Sequence, residues 1–136
     1  MSFTNYLEDK VLNHVFAGVE YAMPTLYVGL FTKGPSDTGG GREVAGFGYA
    51  RQSITMSVSG SAPTEATNTN DAEFPAATGS QGRITHAGVF DALTGGNLLA
   101  WATLTDPSDS SVELPQTIDT GDIFKIEASN LKIRID

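Results

Sequence analysis

The chain has 136 residues and no cysteine, enough for one domain with its own apolar core and excluding disulfides and thiolate metal sites. Sixteen acidic residues against eight scattered basic ones give a net charge of −8, which argues against nucleic acid and anionic membranes as partners. Glu8 and Asp9 interrupt any signal-like start and no apolar run approaches the ~20 residues of a bilayer span, so a soluble protein made in the cytoplasm is expected.

The first element in chain order is a helix from Asn5 to about residue 17. Leu7, Val11 and Val15 are four apart, as are Leu12 and Phe16, which makes one apolar stripe on a helix. Asn5 and Glu8 have the spacing of a capping box, and Gly18 is the expected stop. The stripe implies that the helix packs on the domain's own sheet or on a neighbouring subunit.

From Thr25 onward the texture is β. Thr25 to Phe31 alternates, with Leu26, Val28 and Leu30 on one face and Tyr27 and Phe31 on the other. Gly48 to Val58 is the next expected strand, and the small polar run Ser59 to Asn70 reads as a surface loop. Phe74-Pro75 marks a short edge strand, because proline cannot donate to a central ladder. Arg83 to Asp91 and Leu98 to Leu104 flank Ala92-Leu93-Thr94-Gly95-Gly96-Asn97, a hairpin with a glycine-bearing turn. Its Phe90, Leu99 and Trp101 are large enough to anchor a core. After a Ser/Asp/Pro loop come Ile123 to Ala128 and Leu131 to Ile135, the latter alternating Leu131, Ile133, Ile135 against Lys132, Arg134. Without an internal repeat or domain boundary, the chain reads as one mainly β domain over residues 1–136. The expected architecture is an antiparallel, jelly-roll-like β-sandwich with one N-terminal helix.

The glycine-rich stretch Gly34 to Gln52 raises the question of a phosphate site. Such a site needs glycines between a strand and a helix, so that backbone N–H groups face the anion. The residues after Gly48 are β-branched and aromatic, there is no Gly-Lys-Ser/Thr, and Arg51 stands where a third glycine is wanted. A long mobile loop with glycines at positive-φ positions is the better reading.

Catalytic chemistry finds no support. His14 lies near the helix C-terminus, and His86 lies mid-strand on the face of Ile84, Gly88 and Phe90, as a hydrogen-bonded core histidine does. No nucleophile elbow, HExxH or paired carboxylates accompany either. Asn68-Thr69-Asn70-Asp71 and Asp106-Pro107-Ser108-Asp109 cluster oxygens, but an EF-hand read from Asn68 puts Glu73 at the glycine position and Gly79 at the bidentate glutamate. No catalytic residue, cofactor or metal site is assigned. Asp106, Asp109, Asp119 and Asp122 are expected in solvated turns.

Five stretches together resemble a known family: YLEDKVLNHVF (Tyr6 to Phe16), LYVGLFTKGP (Leu26 to Pro35), GFGYARQ (Gly46 to Gln52), ITHAGVFDALTGGNLLAWATL (Ile84 to Leu104) and the terminal TGDIFKIEASNLKIRI. The family is that of small virion proteins of tailed bacteriophages and prophages, labelled tail-fibre proteins and similar in places to head-decoration proteins. Phe47 stands among glycines that otherwise run into Tyr-Ala-Arg, a small departure. The resemblance implies a non-enzymatic structural role in the virion, first as a capsid decoration (cement) protein on the outer particle surface and otherwise as a tail-fibre or tail-associated protein. The expected partners are further copies of the chain, as a trimer before a dimer, and the phage major capsid protein or tail proteins. A module that binds host glycans through Tyr21, Phe47 and Tyr49 is the alternative from another class.

Overall fold

The computed structural model describes residues 1–135; Asp136 and the side chain of Ile135, last in the Leu131–Ile133–Ile135 alternation, lie outside the described residues. The chain opens with β1 (Ser2–Phe3), α1 (Asn5–Phe16), β2 (Leu26–Lys33), β3 (Arg42–Glu43) and β4 (Gln52–Ile54). It continues with β5 (Met56–Ser59), β6 (Thr64–Asn68), β7 (Ala72–Glu73), β8 (Gly82–Ile84), β9 (His86–Phe90) and β10 (Leu98–Thr103). The last elements are β11 (Thr105–Asp106), β12 (Asp109–Glu113), β13 (Gln116–Ile118), β14 (Lys125–Ile126) and β15 (Lys132–Ile135).

The domain is mainly β with one helix, and its strands pair antiparallel. The largest sheet has six strands in the order β1-β10-β9-β2-β3, and β4 also pairs with β2. A three-stranded sheet runs β15-β6-β5, and the pairs β11-β12, β13-β8 and β14-β7 complete the set. The expected hairpin is present as β9–β10, in register from Leu98 opposite Phe90 to Thr103 opposite His86, with a bulge after Leu98.

Both faces of β2 are covered, as its alternation requires. Val28 and Leu30 join Ile54, Phe74, Ile84, Val89, Ile118 and Leu131 in the main core, between the large sheet and the smaller ones. Phe31, on the opposite face, stacks on Phe90 with ring centroids 5.8 Å apart and packs with Leu98. Each fully buried Val, Leu or Ile there contributes about 1.5–3 kcal/mol. This layering is consistent with the expected sandwich.

Several local expectations need correction. The strand expected from Gly48 to Val58 begins only at Gln52 and breaks at Thr55, whose N–H donates to Asn70 Oδ1 at 2.9 Å. The break lets one chain segment serve two sheets, β4 in the large one and β5 in the three-stranded one. The expected loop Ser59 to Asn70 contains β6, which pairs with both β5 and β15. Small polar residues hid it, because its neighbours and not its own side chains fix its pairing. The Ser/Asp/Pro loop likewise folds into the β11–β12 hairpin.

In the helix, the N-cap is Thr4, not Asn5. The Thr4 Oγ1 accepts from the Leu7 N–H at 3.4 Å and donates to the Leu98 carbonyl at 2.6 Å, tying α1 to β10. The Thr4 N–H donates to the Leu99 carbonyl, so no capping box forms. Gly18 ends the helix as expected, with φ 69°; the Val19 N–H reaches back to the Asn13 carbonyl at 3.1 Å, the bond of a glycine-closed C-terminus.

Candidate assembly surface

The glycine-rich stretch shows what its residues are for. Strand β2 has a partner on its outer edge at each end, β4 against Leu26–Val28 and β3 against Phe31 and Lys33. Between them the ladder is interrupted at Leu30. Its N–H donates to the Tyr49 hydroxyl at 3.0 Å and its carbonyl accepts from the Val44 N–H at 2.9 Å. A phenol thus stands in for a strand carbonyl.

The same hydroxyl donates to Glu43 Oε2 at 2.6 Å, and Arg51 grips that carboxylate with two bonds of 2.8 Å. The remaining Arg51 nitrogen donates to the carbonyls of Ala92 (2.7 Å) and Gly95 (2.8 Å), and the guanidinium lies 3.5 Å over the Phe90 ring. Burial, then the hydrogen bond to Glu43, pushes the Tyr49 phenol far above its ordinary value. Gly29 makes room for this cluster: a Cβ there would stand 2.8 Å from Glu43 Oε2 and 2.9 Å from the Phe90 ring. Arg51 thus pins the β9–β10 turn to the glycine-rich stretch, a role that spacing alone did not reveal. The one sequence signal was an arginine beside aromatic residues in a charge-poor run.

The loop before β3 is held in place and not free, which corrects the expectation of a mobile segment. Ser36 and Gly39 exchange two backbone bonds of 2.8 Å. The Asp37 carbonyl accepts from the Asn5 N–H, and its Oδ1 accepts from Trp101 Nε1 at 3.0 Å. Gly41 has φ 73°, and a Cβ there would stand 2.7 Å from the Lys33 carbonyl. A cleft of about 560 Å³ opens between this loop, the start of α1 and the β9–β10 turn, with Tyr6, Asp37, Glu43 and Asn97 on its walls.

The other singled-out residues make contacts within the chain. His86 is half-buried with Nδ1 2.7 Å from the Thr85 hydroxyl and Nε2 3.3 Å from that of Thr103; burial lowers its pKa. His14 Nδ1 accepts from the Tyr21 N–H at 3.3 Å and holds the segment after α1 against the helix. Asn68 is buried and clamps three backbone groups, those of Asn70, Glu127 and Leu131. Asp71 accepts from the Ala128 N–H. Asp71 Oδ2 also pairs with Lys125 at 3.6 Å, so the oxygens of this stretch bond the chain's own backbone and side chains. Asp106 and Asp109 close turns onto Ser108 and Ser111, which lowers both pKa values. Among the described residues no three His, Cys, Asp or Glu side chains gather as a metal site, and no helix is long and apolar enough to cross a membrane. Trp101 is half-buried at the margin of the Phe31–Phe90 cluster and not inside it.

The unusual surface is α1. Its half-buried positions are Tyr6, Leu7, Lys10 and Asn13, so a mostly polar side faces the body. The apolar stripe faces outward, with Val11 37 %, Leu12 57 %, Val15 62 % and Phe16 80 % exposed. Val19 and Met23 continue the exposed set. The stripe was expected to be covered, and within one chain it is not. Nearby, the Tyr21 hydroxyl oxygen is enclosed without a hydrogen-bond partner.

Residues 2–134 match the family described as "Podophage GP4 fiber I protein gp80". The chain belongs to this family. No curated protein matches it. The family is one of bacteriophage fibre proteins, virion structural proteins, in agreement with the resemblance carried by GFGYARQ and the β9–β10 hairpin.

Proposed function

We propose that the protein is a non-enzymatic structural subunit of the phage virion, and that it decorates the outer surface of the capsid. The observation that carries this reading is the outward apolar face of α1, which a free-standing domain would turn inward. The absence of any repeat in the sequence favours decoration over a fibre shaft, since shafts are built from repeating units. The acidic surface, at −8 per chain, keeps decorated particles mutually repulsive. A tail-associated position is the second reading, favoured by the word "fiber" in the family's description. Host-glycan binding loses support from the aromatic side chains themselves. Tyr49 is engaged with Glu43 and Leu30, and Tyr21 is half-buried, which leaves Phe47 as the exposed ring.

Quantitative mass spectrometry of purified virions tests this reading. Copies on the order of hundreds per particle, in proportion to the major capsid protein, are the expected result. A handful of copies would move the protein to the tail, and its absence from washed virions would end the structural reading.

A further inference from the structure

We propose that the groove between the end of β10 and strands β14 and β15 is a docking site for an extended, acidic segment of another protein, which adds as a strand beside β10. The proposal rests on the virion reading only for the source of that segment, a neighbouring protein of the particle. The chemistry of the groove stands without it.

Three observations point to this occupant. The first is an uncovered strand edge. β1 covers β10 only at Trp101 and Ala100, opposite Ser2 and Phe3. Before Ser2 the chain departs from that edge, and the Met1 nitrogen donates to the Lys132 carbonyl at 3.3 Å. On its other side β10 pairs with β9 as far as Thr103, and the next N–H, that of Leu104, donates to the Thr85 carbonyl. Successive residues of a strand direct their backbone groups to opposite edges. Those of Thr103 therefore point to the edge that β1 does not reach. Such an edge accepts a further strand from another chain.

The second is an apolar floor. The groove holds about 870 Å³ and is walled by the end of β10 on one side and by β14 and β15 on the other, a size that takes a few residues of peptide. Leu104, Phe124 and Ile126 are half-buried along it, at the margin of the main core. Ile123 and Leu114 stand beside them, 56 % and 39 % exposed. A strand laid beside β10 sends every second side chain to the same face. Apolar residues at alternate positions of the segment therefore enter the groove.

The third is charge. Three of the chain's eight basic residues, Lys125, Lys132 and Arg134, line this groove with only one of its sixteen acids, Asp106. The Asp106 carboxylate is turned onto the N–H and hydroxyl of Ser108, at 2.8 and 2.7 Å. Lys125 has Asp71 at 3.6 Å and Glu127 at 3.9 Å, and Arg134 pairs with Glu65. These pairs are partly solvated and hold their cations weakly, so a carboxylate brought by the segment can share them. Lys132 is exposed on the rim. On a chain of net charge −8, a carboxylate-bearing segment meets attraction at this place.

Fluorescence anisotropy with the full-length protein reads the docking. The probe is a labelled synthetic peptide of about eight residues, a common strand length, that alternates valine with glutamate. It should bind with a dissociation constant on the order of 100 μM, weakening severalfold when salt is raised. The same peptide with lysine in place of glutamate should not bind. Lys132→Glu and Ile123→Asp, both at exposed positions, should each weaken binding about tenfold. Lys33→Glu, exposed at the end of β2 and outside the groove, should bind as the unsubstituted chain does. Circular dichroism checks that the variants remain folded. Hydrogen exchange of the Thr103 amide should slow when the peptide is bound, which ion pairing alone would not produce. No binding of the acidic peptide, equal binding of the lysine peptide, equally effective displacement by a single-stranded oligonucleotide, unchanged affinity in both groove variants, or an unprotected Thr103 amide would overturn the inference.

The source of the segment is read on intact virions with a carbodiimide, which couples an amine directly to a carboxylate. Lys125 or Lys132 should be joined to an acidic residue of a different protein. Couplings confined to acids of this chain's own sequence, such as Asp71 and Glu127 beside Lys125, would overturn the assignment to another protein. Absence of the chain from washed virions would sink the virion reading alone, and the peptide titration would still decide the groove.

Discussion

The Arg51 side of the molecule and the α1 side solve opposite problems. Around Arg51 a buried guanidinium meets a half-buried carboxylate and phenol, and the cluster is paired: Glu43 receives Arg51 twice and Tyr49 once. Around α1 the side chains that prefer burial stand in solvent, and Phe16 is 80 % exposed. The first region is complete within one chain. The second leaves its apolar row in solvent. What the difference teaches is that a chain can draw a polar cluster inward once the cluster is fully paired, whereas an apolar stripe left in solvent marks a surface open to contact.

Breaking the paired cluster should have the largest effect. Arg51→Met removes the charge that faces Glu43 and leaves the Ala92 and Gly95 carbonyls without their donor. An uncompensated, partly buried carboxylate then costs about 3 kcal/mol. Urea unfolding should show that loss with an unchanged slope. A loss under about 0.5 kcal/mol would mean that the cluster is ornamental to stability.

The joint between the two regions comes next. Thr4 caps α1 and donates to β10 through one hydroxyl. Thr4→Val keeps the shape, removes both bonds, and should cost about 1–2 kcal/mol. Helical circular dichroism should fall before the β signal as urea rises. Coincident transitions would show that α1 does not depend on this cap.

Much of the body was legible in the sequence. The helix followed from the four-residue spacing and its end from Gly18, although its cap is Thr4, and the β9–β10 hairpin followed from two runs around Gly95-Gly96. Val28, Leu30 and Phe31 fell on the faces that their alternation demanded. What stayed hidden was set by distant partners. β6 has almost no apolar side chains, and its place comes from β5 and β15 on either side. Asn68 was read into a polar surface loop, because in sequence nothing distinguishes a solvated amide from one that bonds the buried Leu131 N–H. Periodicity found the stripe on α1 but not the direction it faces. A moment gives a helix two sides, and only tertiary structure says which side meets the body.

Alkaline pH sharpens the comparison from the polar side. The Tyr49 phenol is held neutral by burial and by its bond to Glu43, so its folded pKa lies above the ordinary 10.0. Above pH 10 the unfolded chain releases this proton first. The stabilisation is therefore intact below that pH and is lost as the pH rises past it, at up to about 1.4 kcal/mol per pH unit. In Tyr49→Phe that share of the alkaline slope should vanish, at a cost near neutrality of about 1 kcal/mol for the lost hydroxyl bonds. Parallel pH profiles for the two proteins would place the ionisation elsewhere.

The smallest effect is the most telling for the helix. Val15 is 62 % exposed on the outward row, so in a dilute single chain Val15→Asp replaces one solvated side chain with another. Its cost to unfolding should stay within about 0.5 kcal/mol, the ordinary range of surface substitutions plus the small propensity difference. The same change in a paired helix would bury a carboxylate in an apolar contact, where it costs several times more. The two regimes differ only in protein concentration. Melting Val15→Asp and the unsubstituted chain at low and high concentration therefore tests for such a contact: the two melts should nearly coincide when dilute, and a separation on concentration would report association of the unsubstituted chain through this row. A large loss already in the dilute protein would mean that the row is covered by its own chain, and the contrast between the two regions would collapse.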